Sequence, residues 1–299
     1  HASPDLFKAV AKAALPQLRN SKPQHLSNTA WAYATAGHAS PDLFEAVAQA
    51  ALPQLHDFNS QNLSNTAWAY AKAGHASPDL FEAVAKAALP QLHNFKSQEL
   101  SNTAWAYAKA GHASPDLFEA VAQAALPQLH KFKPQSLSNT VWAYATAGHA
   151  SPDLFEAVAQ AALPQLHNFT EQNLSNTAWA YATAGHASPD LFEAVAKAAL
   201  PQLRNFTEQA LSNTAWAYAA AGHASPDLFE AVAQAALPQL HNFTEQNLSN
   251  TVWAYATAGH ASPDLFEAVA QAALPQLRNF NSQNLSNTAW AFAVADAPS

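Results

Sequence analysis

The chain has 299 residues, 49% of them apolar and 11% charged, with a formal net charge of −8. With no cysteine it has neither disulfides nor thiolate metal sites, and no apolar run approaches the roughly 18 residues of a membrane span. Nor is there a methionine, so a trimmed N-terminus is expected, with any targeting segment outside the sequence.

From His1 onward a 37-residue unit is written eight times, over 1–37, 38–74, 75–111, 112–148, 149–185, 186–222, 223–259 and 260–296. A fixed period of this size denotes a solenoid, in which each unit buries its apolar face by stacking on its neighbours. The length alone would suggest two domains, but a stack needs no internal boundary, so one array over 1–299 is expected.

The first element of each unit is a helix. In the fifth copy Ser151 caps it, Pro152 takes the first helical position and Asp153 meets the positive helix end. Leu154, Phe155, Val158, Ala162, Leu163 and Leu166 recur at helical spacing as the buried stripe. Asp153, Glu156 and Gln160 form the polar face. Pro164 also falls there, and predicts a kink or an end.

The second helix starts at a Thr170 cap. Glu171 is the first helical residue, as Pro23 and Pro134 at that position in other copies indicate. Phe169 and Leu174 flank the cap as a hydrophobic staple. Leu174, Ala178 and Tyr181 continue the apolar stripe, Gly185 closes the helix in the left-handed region, and His186 and Ala187 lead to the next cap. The fold class is therefore all-α, an elongated α-solenoid superhelix of eight helix-turn-helix repeats and sixteen helices. In the last copy Phe292, Val294, Ala295 and Asp296 stand at the Tyr, Thr, Ala and Gly positions. Trp290 has no capping helix after it, so either the protein continues past this copy or the end face is exposed, in which case end-to-end self-association is an expected partnership.

The copies differ mostly by swaps that one nucleotide change makes, such as Lys12 against Gln49, which points to tandem duplication followed by drift. One row varies more. The Asn173 position reads His25, Asn62, Glu99, Ser136, Asn173, Ala210, Asn247 and Asn284, and the Thr183 position reads Thr35, Lys72, Lys109, Thr146, Thr183, Ala220, Thr257 and Val294. At about 100° per residue, Asn173, Asn176, Ala180 and Thr183 share one stripe. Between the varied positions runs a fixed asparagine: Asn28, Asn65, Asn102, Asn139, Asn176, Asn213, Asn250 and Asn287. Such a stripe is either a solvated face free to drift or a row that reads a polymer one unit at a time.

Charge separates the two layers. The outer face of the first helices holds eight Asp, seven Glu and four Lys, or −11, and the rest of the chain sums to +3. A phosphate backbone would favour the second-helix side, mainly in the N-terminal half.

The Ser-Pro-capped helix, the LPQL-type ending, the Phe-x-x-Gln-x-Leu start (Phe58 to Leu63) and the Ser64-Asn65-Thr66-Ala67-Trp68-Ala69-Tyr70 core resemble the octotricopeptide and heptatricopeptide repeats. Those repeats occur beside RAP domains in algal and protist organellar proteins. The resemblance covers all eight copies. It implies sequence-selective binding of single-stranded RNA, about one base per repeat, on transcripts of a chloroplast or mitochondrion. The candidate contacts, read from the stripe itself, are the Asn173-position row, the fixed asparagine row, and Thr35, Lys72, Lys109, Thr146, Thr183 and Thr257.

Other chemistries fit poorly. The eight histidines from His1 to His260 lie one repeat apart, and stacked helices about 8–10 Å apart cannot share an ion at about 2 Å. The serine and aspartate of the His-Ala-Ser-Pro-Asp turn are already used as cap and dipole partner, so no triad is read there. Asn168-Phe169-Thr170 and Asn173-Leu174-Ser175 match glycosylation sequons by composition. The seven glycines close helices and form no phosphate loop. No enzyme, cofactor, metal or small-molecule substrate is expected. An RNA-binding solenoid and a protein-interaction scaffold of the same shape remain.

Overall fold

The computed structural model describes residues 3–296 except Ala39, Ala76, Ala150, Ala187, Ala224 and Ala261. The expectations for His1 and Ala187 lie outside the described residues. Among those described there are sixteen α-helices and no strand. The first helices of the repeats are α1 (Pro4–Ala14), α3 (Pro41–Ala51), α5 (Pro78–Ala88), α7 (Pro115–Ala125), α9 (Pro152–Ala162), α11 (Pro189–Ala199), α13 (Pro226–Ala236) and α15 (Pro263–Ala273). The second helices are α2 (Pro23–Ala36), α4 (Ser60–Ala73), α6 (Ser97–Ala110), α8 (Pro134–Ala147), α10 (Glu171–Thr183), α12 (Glu208–Ala220), α14 (Glu245–Ala258) and α16 (Ser282–Ala295). The chain forms two compact units, His1–Ala157 and Val158–Ser299. The division falls within α9.

The start of the first helix differs from expectation. Ser3 uses its side chain, accepting from the Leu6 N–H at 3.4 Å. Ser40, Ser77, Ser114, Ser188, Ser225 and Ser262 make no side-chain cap bond. Their ψ of 73 to 88° departs from ordinary cap geometry. They contribute backbone instead, as when the Ser77 carbonyl accepts from Phe81 N–H at 3.0 Å.

Proline ends the first helix as expected. After Ala88 the chain tightens into a 3₁₀ segment, Leu89–Asn94, and the same happens in every copy. The glutamine after the proline serves the exposed helix end. Gln91 Nε2 donates to the Ala87 carbonyl at 3.0 Å and to the Phe58 carbonyl of the preceding repeat at 3.2 Å. Gln54 and Gln128 in unit 1, and Gln239 and Gln276 in unit 2, make the same double bond. The tighter winding, about 120° per residue against 100°, also turns one leucine out of the core. Leu163, placed in the buried stripe by its spacing, is 37% exposed, while Leu166 is buried.

The core of each repeat is aromatic. Tyr107 is fully buried, its hydroxyl donates to the Phe81 carbonyl at 2.6 Å, and the two rings meet edge to face at 5.1 Å. His112, the first residue of the next repeat, stacks on Phe81 at 5.7 Å. The closing glycines adopt φ of 63 to 68°, and the following histidine N–H reaches back to the tyrosine carbonyl, as His112 does to Tyr107 at 3.0 Å.

Second helices pack side by side within each unit, α2 to α8 in one and α10 to α16 in the other. Small buried residues (Ser64, Ala67, Ala69 and Ala71 in α4) let their backbones approach closely. First helices instead meet the 3₁₀ segment of the preceding repeat, as α5 meets Leu52–Asp57. The second helices are therefore the more closely spaced layer of each unit.

Candidate nucleic-acid interface

One stripe of each second helix faces solvent. In α10 it runs Gln172, Asn176, Trp179 and Thr183, at spacings of four, three and four, which is one helical face. Gln172 and Thr183 are exposed, and Asn176 and Trp179 are half-buried. Glutamine, asparagine and tryptophan recur at these positions in all eight copies. The motif ending in Trp68-Ala69-Tyr70 suggests tryptophan as a core residue, and nothing in the apolar pattern singles out the glutamine row. A signal was available: Trp105 and Tyr107 stand two residues apart, about 200° around the helix, so one core cannot take both. Tyrosine takes it because its hydroxyl finds a carbonyl inside.

Several tryptophans form runs. Ring centroids of Trp68 and Trp105 lie 6.3 Å apart, as do those of Trp105 and Trp142, in unit 1. Trp216 and Trp253 lie 6.4 Å apart in unit 2. Trp31 and Trp290 are more open, at 45% and 44% exposure. The amides of Asn65, Asn102 and Asn139, beside this run, meet no hydrogen-bond partner among the described residues. The surface thus offers half-buried indole rings flanked by groups that both donate and accept.

The varied row lies elsewhere. Asn62, Ser136, Asn173, Ala210, Asn247 and Asn284 are buried, Glu99 is half-buried and only His25 is exposed. This corrects the expected stripe: Asn173 and Ala180 belong to the seam between second helices, while Asn176 and Thr183 face outward. The physical reason is the cap. The varied residue is the third of the helix, and where the cap is threonine or asparagine the cap side chain holds its backbone N–H: Thr207 Oγ1 accepts from Ala210 at 3.2 Å, Asn59 Oδ1 from Asn62 at 2.8 Å. Its carbonyl and side chain meet the neighbouring helix. Ser64 Oγ donates to the Glu99 carbonyl at 3.2 Å, Ser249 Oγ to the Asn284 carbonyl at 3.1 Å, and Asn62 Nδ2 to Ser27 Oγ at 3.1 Å. The fixed asparagines Asn65, Asn102, Asn139, Asn176, Asn213, Asn250 and Asn287 are half-buried and Asn28 is exposed. Thr35, Lys72, Lys109, Thr146, Thr183 and Thr257 are all exposed.

Charge on this layer differs between the units. With their cap residues, the second helices of unit 1 carry Lys22, Lys72, Lys96, Lys109 and Lys133 against Glu99 alone. Those of unit 2 carry Glu171, Glu208, Glu245 and Asp296 with no lysine or arginine. The Glu99 carboxylate accepts from the Lys96 backbone N–H at 2.8 Å and so lies at the cap.

Histidines after the closing glycines pack on rings: His75 lies 5.6 Å from Phe44 and 5.8 Å from Tyr70. Among the described residues no three His, Asp or Glu side chains cluster for a metal, and no helix is long and apolar enough to cross a membrane.

A family model described as RNA-editing substrate-binding complex 8 protein matches residues 6–294 of the chain. No curated relative matches it.

Proposed function

Because the chain belongs to the RNA-editing substrate-binding complex 8 protein family, we propose that it binds single-stranded RNA on the exposed face of its second helices, about one nucleotide per repeat. It acts as a binding protein and not an enzyme, in organellar transcript stabilisation or processing. The observation that supports this most is the half-buried tryptophan run beside asparagine amides that meet no partner among the described residues. Bases stack on such rings for about 1–3 kcal/mol each, whatever their identity. A ring spacing of 6.3 Å is nearly twice the roughly 3.4 Å rise per base of a stacked strand, so successive bases reach successive rings only when splayed. Duplex RNA, with its bases enclosed, does not fit.

Selectivity in this reading comes from the asparagine amide and from the varied outward residue at the Thr183 position. The buried varied row adjusts the seam beneath them. The acidic outer face of the first helices favours a protein partner as well, and the family description is that of a protein of a complex.

The test is binding of the full chain to the four homopolymer RNAs, with Trp105→Ala beside the wild type. Loss of one stacked base lowers affinity about 5- to 150-fold at unchanged helix content. Unchanged affinity in a folded variant, or equal affinity for duplex, refutes the proposal.

A further inference from the structure

We propose that Lys72 and Lys109 are the backbone anchor of the RNA, so that phosphates are held by unit 1 and not by unit 2. This rests on the RNA-binding reading and adds where along the chain the strand is gripped. Lys72 lies four residues after Trp68 and Lys109 four after Trp105, each on the face of its tryptophan. Those two rings are neighbours at 6.3 Å, so the two ammonium groups extend from adjacent steps of one run. Both lysines are exposed and neither is held in an ion pair among the described residues. Lys86, by contrast, is tied to Glu82 at 2.6 Å on the first-helix side.

In unit 2 the same position holds Thr183, Ala220, Thr257 and Val294, none of them cationic. The first turns of its second helices add Glu171, Glu208 and Glu245, which repel phosphate. Unit 2 still presents Trp216 and Trp253 at 6.4 Å. Its contribution is therefore stacking with little salt dependence, whereas unit 1 combines stacking with charge. The one carboxylate on the second helices of unit 1, Glu99, is at the other end of α6 from Lys109 and turned to the cap.

The experiment measures affinity of the full chain for single-stranded homopolymer RNA against salt concentration. Lys72→Gln/Lys109→Gln is compared with Lys12→Gln/Lys86→Gln, which removes the same charge from first helices of the same unit. Each phosphate contact on a single strand contributes about 0.7 to the log–log slope. The first pair should lower the slope by about 1.4, so that the affinity lost between 50 and 200 mM salt shrinks about sevenfold. The second pair should leave the slope as in the wild type. Equal changes in both pairs, or none in either, overturn the anchor while leaving RNA binding standing. A wild type that binds none of the four homopolymers overturns both readings.

Discussion

Raising the pH should unfold this protein through its tyrosines. Tyr70, Tyr107, Tyr144, Tyr218 and Tyr255 are buried against Phe carbonyls. Burial pushes each phenol far above its ordinary value of 10, and Glu45, Glu119 and Glu230 push Tyr70, Tyr144 and Tyr255 further. A group whose folded pKa is raised contributes its full stability below the unfolded pKa and loses it as pH climbs toward the folded one. Above about pH 10 the unfolded chain sheds these protons and the folded chain keeps them. Each tyrosine then removes about 1.4 kcal/mol per pH unit, and the five together about 7. Domains hold only about 5–15 kcal/mol in total, so the helices should be lost between about pH 11 and 12. The assay follows tyrosinate absorbance and helical ellipticity through one alkaline titration. The two signals should rise and fall together. Repeats unfold partly as neighbours do, so the transition need not be two-state, but the coincidence is required either way. Tyrosinate forming near pH 10 in a chain that keeps its ellipticity would refute the argument.

Tyr107→Phe should cost about 1 kcal/mol, the net worth of one buried hydrogen bond, because the Phe81 carbonyl keeps its helical partner. Thermal unfolding reads this, and a loss above about 3 kcal/mol would mean the hydroxyl holds more than that one contact. Gly111→Ala should cost about 1 kcal/mol, from φ of 63° alone, since a Cβ there meets nothing within 4 Å. Gly111→Asn should cost less, and equal losses from both would show a steric cause instead.

The threonine and asparagine caps of the second helices, the closing glycines and the proline stop were legible because each is a local event, decided within a few residues. Thr207 holding the N–H of Ala210 and Gly111 at positive φ follow from residue type and place alone. The orientation of the second helix was not legible in the same way. Its face is rich in alanine, serine and threonine, so the apolar contrast around it is shallow, and Ala180 reads equally well as seam or surface. What settles the matter is a contact 26 residues away, the tyrosine hydroxyl on the phenylalanine carbonyl, which turns tryptophan outward and draws the varied row into the seam. Most serine starts differ for another reason: Ser77, for example, stands at ψ of 77°, outside ordinary cap geometry, and contributes its carbonyl instead. The resemblance to organellar repeat proteins implied an RNA-associated family, and the matched family is one at that level.

The links between neighbouring repeats have a bearing on how the gene can change. Gln91 and Ser64 donate across to backbone carbonyls, of Phe58 and Glu99, and a carbonyl is the same whichever residue bears it. A newly inserted copy would therefore find ready acceptors on both sides. Unequal recombination that adds or deletes a whole 37-residue copy leaves every remaining junction chemically as it was, whereas a shift of one or two residues breaks all the bonds at that junction. Copies five and seven, which differ only at Ala178 and Val252, bear the mark of such an exchange. Array length is thus a trait that can step up or down in whole copies, while the composition of the outward stripe drifts independently of it.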